Sequence, residues 1–141
     1  MTSKRLHSTS VVLDDNGVLI IGDSGLGKSD LALRLIDEGA TLISDDITIC
    51  KKKIDGIFLS SPIETKGLLE VREVGIITVP FVDRIRLKMV VKLTEKNLNR
   101  MPKKNITKVL GVRFPLLVIN GKSSSAVVKV KVKLNEIREK Q

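Results

Sequence analysis

A chain of 141 residues with 42% apolar content can bury one core and little more, so we expect one domain spanning residues 1–141. Its formal net charge of +9 is unevenly placed: residues 1–83 hold 9 Lys/Arg against 13 Asp/Glu, and residues 84–141 hold 16 against 3. With no apolar run of about 18 residues, no signal-peptide core, one cysteine (Cys50), three Phe and neither Tyr nor Trp, the sequence argues against a membrane span, a secretory leader, a disulfide framework, a cysteine zinc site and base-stacking nucleic-acid recognition.

A cytoplasmic location follows as the expectation, with no membrane partner and nucleic acid an unlikely one. The basic half faces an anionic partner, whether nucleotide, acidic protein or nucleic acid, or else is simply a solvated, lysine-rich surface.

In chain order, residues 11–13 and 18–21 read as strands joined by a tight turn at Asn16-Gly17, because these two residue types tolerate positive φ. Residues 28–38 read as a helix: Leu31, Ala32, Leu35 and Ile36 recur at helical spacing, Asp30 lies in the first turn, and Gly39 offers a left-handed cap. A strand at 41–43 ends on Ser44-Asp45-Asp46. Residues 47–49 and 57–59 form a hairpin whose solvated turn takes Lys51, Lys52, Lys53, Asp55 and Gly56.

Residues 60–83 have little periodicity. Within them residues 68–80 are apolar enough to lie partly inside, with Gly75 marking a strained or closely approached backbone. Residues 84–93 alternate as a half-buried strand, residues 101–105 with Pro102 read as a loop, and residues 112–120 between Gly111 and Gly121 read as another strand. Two periods compete over residues 123–139. Val128, Val130, Val132 and Leu134 alternate as a strand, while Val127, Val130, Leu134 and Ile137 form one helical face behind a serine cap; the helix is the preferred reading.

The stretch GDSGLGKSD, residues 22–30, joins the apolar run 18–21 to the first helix. Gly22, Gly27, Lys28 and Ser29 fill the pattern G-x-x-x-x-G-K-[ST], with Asp23, Ser24, Gly25 and Leu26 between them. Small residues let successive backbone N–H groups converge on phosphate oxygens at a helix N-terminus. The lysine neutralises β/γ oxygens and the serine hydroxyl reaches Mg²⁺. Strand, loop and helix stand in the order that this P-loop requires. A second strand ending in a carboxylate usually lies beside the metal, and Asp45-Asp46 occupies that place: one carboxylate can serve the metal shell and the other act as base towards an incoming hydroxyl. Without the P-loop, the Asp pair reads equally well as a turn or helix cap.

The segments GDSGLGKSDLALRLIDEGATLISDD and LLEVREVGII resemble the catalytic domain of the bacterial HPr kinase/phosphorylases over residues 7 to about 120. The resemblance is to the short form without the extra N-terminal domain. It implies a strand-rich α/β catalytic domain with a helix after the P-loop and a C-terminal helix. Family members transfer the γ-phosphoryl group of ATP to a serine of the small phosphocarrier HPr, and many reverse the reaction with release of pyrophosphate. The cofactors implied are ATP and Mg²⁺.

Carried onto this chain, the resemblance makes His7 an active-site histidine, Asp46 the catalytic carboxylate with Asp45 in support, Glu70 a magnesium ligand alongside Ser29, Arg72 the signature arginine and Arg100 a further active-site arginine. Read without it, His7 is a surface residue, and Glu70 and Arg72 are a surface charge pair. Glu73 stands where the family signature has Gly, Thr78 replaces a common Asp, and no Gly-Arg-Asn segment follows residue 100. The kinase direction is therefore favoured over phosphorolysis. Long forms are hexamers, which leaves a homo-oligomer open here. The alternative function is a nucleotide-responsive binding module that holds ATP without transferring phosphate.

Overall fold

The computed structural model describes residues 2–96 and 105–139. Within them the chain runs β1 (Ser3–His7), β2 (Thr9–Leu13), β3 (Asn16–Ile21), α1 (Lys28–Asp37), β4 (Thr41–Ser44), β5 (Ile47–Lys53) and β6 (Gly56–Ser60). A 3-10 turn at Ile63–Thr65 follows, then β7 (Leu68–Val71), β8 (Gly75–Thr78), β9 (Ile85–Leu93), β10 (Asn105–Val109), β11 (Val112–Ile119) and α2 (Ala126–Glu139). Strands β7 and β8 form a separate hairpin; the other described strands form one sheet along the path β1-β5-β6-β9-β3-β2-β4, with β11 joining β9 and β10 joining β11.

Strand β9 is the hub. It runs parallel to β3 from Val18↔Met89 to Ile21↔Lys92, pairs antiparallel with β6 at Phe58↔Arg86, and pairs parallel with β11 from Leu116↔Val90 to Ile119↔Leu93. Its expected half-buried alternation gives way in the middle, where Met89, Val90 and Val91 are all buried. Met89 and Val91 face the core under the helices, with Val18, Ile20, Leu31, Leu35, Val130 and Leu134, while Val90 joins Leu19, Cys50, Ile57 and Leu59 in a second core. A strand covered on both faces loses the polar half of its alternation.

Helix α1 closes on the expected glycine: Gly39 has φ 107, its N–H reaches the Ile36 carbonyl at 3.0 Å, and the Ala40 N–H reaches the Leu35 carbonyl at 3.0 Å. These two bonds make a Schellman end. Residues 126–139 are helical as preferred. Val130 and Leu134 are buried, Val127 and Ile137 pack partly against the same core, and Val128 and Val132 are left exposed, so the 3.6-residue period wins over the alternation of valines.

Two expected turns are corrected. The first hairpin turns at Asp14 (φ 49) and Asp15 (φ 64), not at Asn16-Gly17; Asn16 pairs with Leu13 and opens β3. Aspartate tolerates the left-handed region, and Gly17 has another reason to be glycine: a Cβ there would lie 2.5 Å from the Arg86 carbonyl oxygen on β9. Lys51, Lys52 and Lys53 are strand residues of β5, paired with Phe58, Ile57 and Gly56, and the turn is Ile54-Asp55.

Residues 68–80 lie partly inside as expected: Leu69 is fully buried, Leu68, Val71, Ile77 and Val79 are half-buried, and Ile76 is exposed on the separate β7–β8 hairpin. A Cβ at Gly75 meets nothing within 4 Å, so its backbone is not closely approached; its φ of 113 is what favours glycine. Strands β1 and β10 were not foreseen: β1 is polar, mostly exposed and short, and so carries no burial alternation. The loop expected at 101–105 lies outside the described residues except for Asn105, which opens β10.

Candidate active site

Strand β3 delivers the chain into residues 22–27, where Gly25 (φ 86) and Gly27 (φ 91) are left-handed. A Cβ at Gly25 would meet nothing within 4 Å and one at Gly27 only the Lys122 side chain at 3.9 Å, so the loop borders open space rather than packed protein. Gly27 is the cap of α1, and no side chain caps the helix's first N–H groups. A helix start with uncapped donors and positive dipole beside open space fits an anion. Lys28 is nearly buried and bends back over the loop, its Nζ donating to the Gly22 carbonyl at 2.8 Å and the Asp23 carbonyl at 3.4 Å. That ammonium is thereby held over the loop where phosphate oxygens would sit.

The second strand end completes the site. Asp45, 7% exposed, accepts the Ser29 hydroxyl on Oδ1 at 2.6 Å and the Thr9 hydroxyl on the same oxygen at 2.9 Å. Its Oδ2 accepts the Glu70 backbone N–H at 3.0 Å. The P-loop serine and the end of β4 therefore meet at one carboxylate. Glu70 arrives there through its main chain, and its side chain is exposed.

Asp46 points the other way. It has φ 70, is largely exposed, and its Oδ1 lies 2.8 Å from His7 Nε2, which donates to it in the tautomer that carries hydrogen on Nε2. The Ser8 N–H bonds the Asp46 carbonyl at 2.9 Å, so β1 and the start of β2 are tied to this elbow.

Of the residues singled out by sequence, Ser29, Asp45 and the Glu70 main chain are brought together, Lys28 folds back on Gly22 and Asp23, and Asp46 pairs with His7 on the outward side. Arg72 is exposed on the β7–β8 turn, and Arg100 lies outside the described residues. Glu73, also on that turn, has φ 71, and the turn is closed by the Val74 N–H on the Val71 carbonyl at 3.0 Å. Position 73, where the resemblance led us to expect glycine, is thus left-handed. Among the described residues, no group of three or more His, Cys, Asp and Glu side chains could hold a metal alone. The donors present, a hydroxyl beside an aspartate, suit Mg²⁺, which completes its shell with phosphate oxygens and water. Thr9 is the residue that the motifs did not mark; the run Ser8-Thr9-Ser10 ahead of apolar residues was its only signal.

These features define a strand-rich α/β domain of the P-loop type. The family model for the HPr Serine kinase C-terminal domain matches residues 1–141, and the chain belongs to that family. HPr kinase/phosphorylase from Prosthecochloris aestuarii is 33% identical over 143 residues, 90% of this chain and 42% of the relative; that from Clostridium tetani is 49% identical over 77 residues, 54% of this chain and 25% of the relative. The chain therefore spans less than half the length of these curated relatives. The solved HPr(Ser) kinase/phosphatase from Coxiella burnetii superposes with a TM-score of 0.85 at 24% identity, covering 97% of this chain and 92% of that one, which establishes the fold. Among the described residues no helix is long and apolar enough to cross a membrane.

Proposed function

We propose that residues 1–141 form one nucleotide-binding catalytic unit of an ATP- and Mg²⁺-dependent protein serine kinase that phosphorylates an HPr-like phosphocarrier protein in the cytoplasm. The observation that carries the reading is the P-loop serine held 2.6 Å from the carboxylate of Asp45, in a chain matched over its whole length by the family. Ser29, Asp45 and the Glu70 side chain would hold Mg²⁺. The ion, when bound, would supply positive charge that offsets that of the phosphates.

The chain's own groups do the remaining work. Lys28 exchanges the carbonyls of Gly22 and Asp23 for β and γ oxygens, and the free N–H groups at the start of α1 hold the phosphates. Asp46 accepts the proton of the acceptor serine as its oxygen bonds to the γ phosphorus and ADP departs with the electrons of the broken bridge. His7 steadies the Asp46 carboxylate. In the opposite direction, inorganic phosphate would attack the phosphoserine, Asp46 would return the proton to the serine, and pyrophosphate would leave. Arg100 and a homo-oligomeric state belong to the family expectation.

Incubation with ATP, Mg²⁺ and an HPr-like protein should yield acid-stable phosphoserine on the acceptor, and Lys28→Ala should abolish it while unfolding cooperatively. Nucleotide binding by the wild type with no transfer to any HPr-like protein would favour the binding module instead. The observation on that side is Glu73 in the signature turn.

A further inference from the structure

We propose that Thr9 is a positioning residue that aims the Asp45 carboxylate at the P-loop serine and so at the nucleotide-bound cation; this rests on the nucleotide and Mg²⁺ reading above. Ser8, Thr9 and Ser10 are all fully buried where β2 begins. A buried hydroxyl needs a partner, and a strand lined with apolar residues offers few. Thr9 spends its proton on Oδ1 of Asp45 at 2.9 Å, the oxygen that also accepts Ser29 at 2.6 Å. With the Glu70 N–H on Oδ2, both carboxylate oxygens are anchored, and the group cannot turn about its own axis.

The three donors differ in what they are free to do. Ser29 must turn its hydroxyl lone pair to a metal when one binds, and the Glu70 N–H rides on a hairpin outside the main sheet. Thr9 has neither liberty. It is β-branched, with its side-chain torsion restricted in a strand, and its backbone is laddered to Ile20, two residues before Gly22. One strand residue therefore ties the carboxylate to the base of the phosphate loop.

The surrounding backbone is arranged to the same end. The β2–β4 pairing shifts register between Ser10 and Val11, a bulge next to Thr9 that alters how the end of β4 meets β2. Ser10 and Thr48 share a hydrogen bond at 3.0 Å, and the Thr48 hydroxyl also reaches the Ser8 carbonyl at 3.3 Å. These bonds tie the start of β5, just after Asp45, to the start of β2.

Calorimetric titration with a non-hydrolysable ATP analogue, with and without Mg²⁺, tests the assignment on the wild type, Thr9→Val and Thr9→Ser. Thr9→Val keeps the shape and loses the hydrogen bond to a charged group, so affinity for the Mg²⁺ complex should fall about tenfold or more while metal-free affinity holds. Thr9→Ser should restore most of the loss. A hydroxyl that merely satisfied itself in the core would change thermal stability and leave the Mg²⁺ increment alone. That increment surviving in a folded Thr9→Val, or in Thr9→Ala should the valine variant not fold, overturns the proposal. A wild-type chain that binds no nucleotide at all overturns the nucleotide reading, and the role of Thr9 with it.

Discussion

Asp45 and Asp46 are neighbours in the chain and opposites in environment. Asp45 is nearly buried under three donors, whereas Asp46, turned outward by φ 70, has His7 and solvent. A base must meet an incoming protein serine, and only the exposed carboxylate can. Asp46→Asn keeps size and loses basicity, so acceptor phosphorylation should fall by about 10²–10⁴ while ATP affinity is nearly unchanged; initial rates with saturating acceptor, set beside ATP titrations, check this. Asp45→Asn should instead weaken binding of the Mg²⁺–nucleotide complex, visible in the same titrations. At Glu73 the left-handed φ of 71 costs a side-chain-bearing residue about 1 kcal/mol. Glu73→Gly should therefore raise the melting temperature by a few degrees, read by calorimetry. A fall in melting temperature would show that the Glu73 side chain stabilises the turn by more than the backbone strain costs.

Among the elements, the β7–β8 hairpin forms a two-stranded sheet of its own. Leu69 is buried and its cross-strand partner Ile77 half-buried, with Leu68, Val71 and Val79 also half-buried, so the apolar run from 68 to 80 lies partly inside as its composition implied. The entry to β9 is pinned by charge. Asp83 accepts the Ser61 N–H at 3.2 Å and Lys66 Nζ at 2.5 Å. Burial alone would raise its pKa, but the Lys66 and Ser61 bonds and the charges of Lys66 and Arg84 outweigh that and hold it below the ordinary carboxylate value. A lowered folded pKa gives stability that is complete above the unfolded value, about 4, and is lost as pH falls through the folded one. The melting-temperature gap between wild type and Asp83→Asn should be widest near neutrality and close in acid. A gap constant with pH would remove the ionised carboxylate from the explanation.

For the whole molecule the two cores meet across β3 and β9, and Cys50 lies in the one away from the helices with no exposed surface. Burial pushes its thiol up to about 11 against the pull of Lys4. A thiolate reagent at pH 8 should therefore react only as fast as the chain unfolds, and denaturant should raise that rate in step with loss of circular dichroism. Rapid labelling under native conditions would mean that the second core opens locally.

The phosphate loop, helix α1 with its glycine end, the strands around Asp45-Asp46 and the C-terminal helix are legible in the amino-acid order alone. Each is written in local spacing: 3.6-residue periods, glycines at obligatory offsets, a lysine and hydroxyl beside a helix start. Long-range packing sets which aspartate turns inward, brings the Glu70 main chain and Thr9 to Asp45, and makes Gly17 small because β9 passes beside it. Those facts depend on residues 36, 25 and 69 positions apart being brought within contact by the sheet register, and no local period encodes a register set by a bulge and a distant strand.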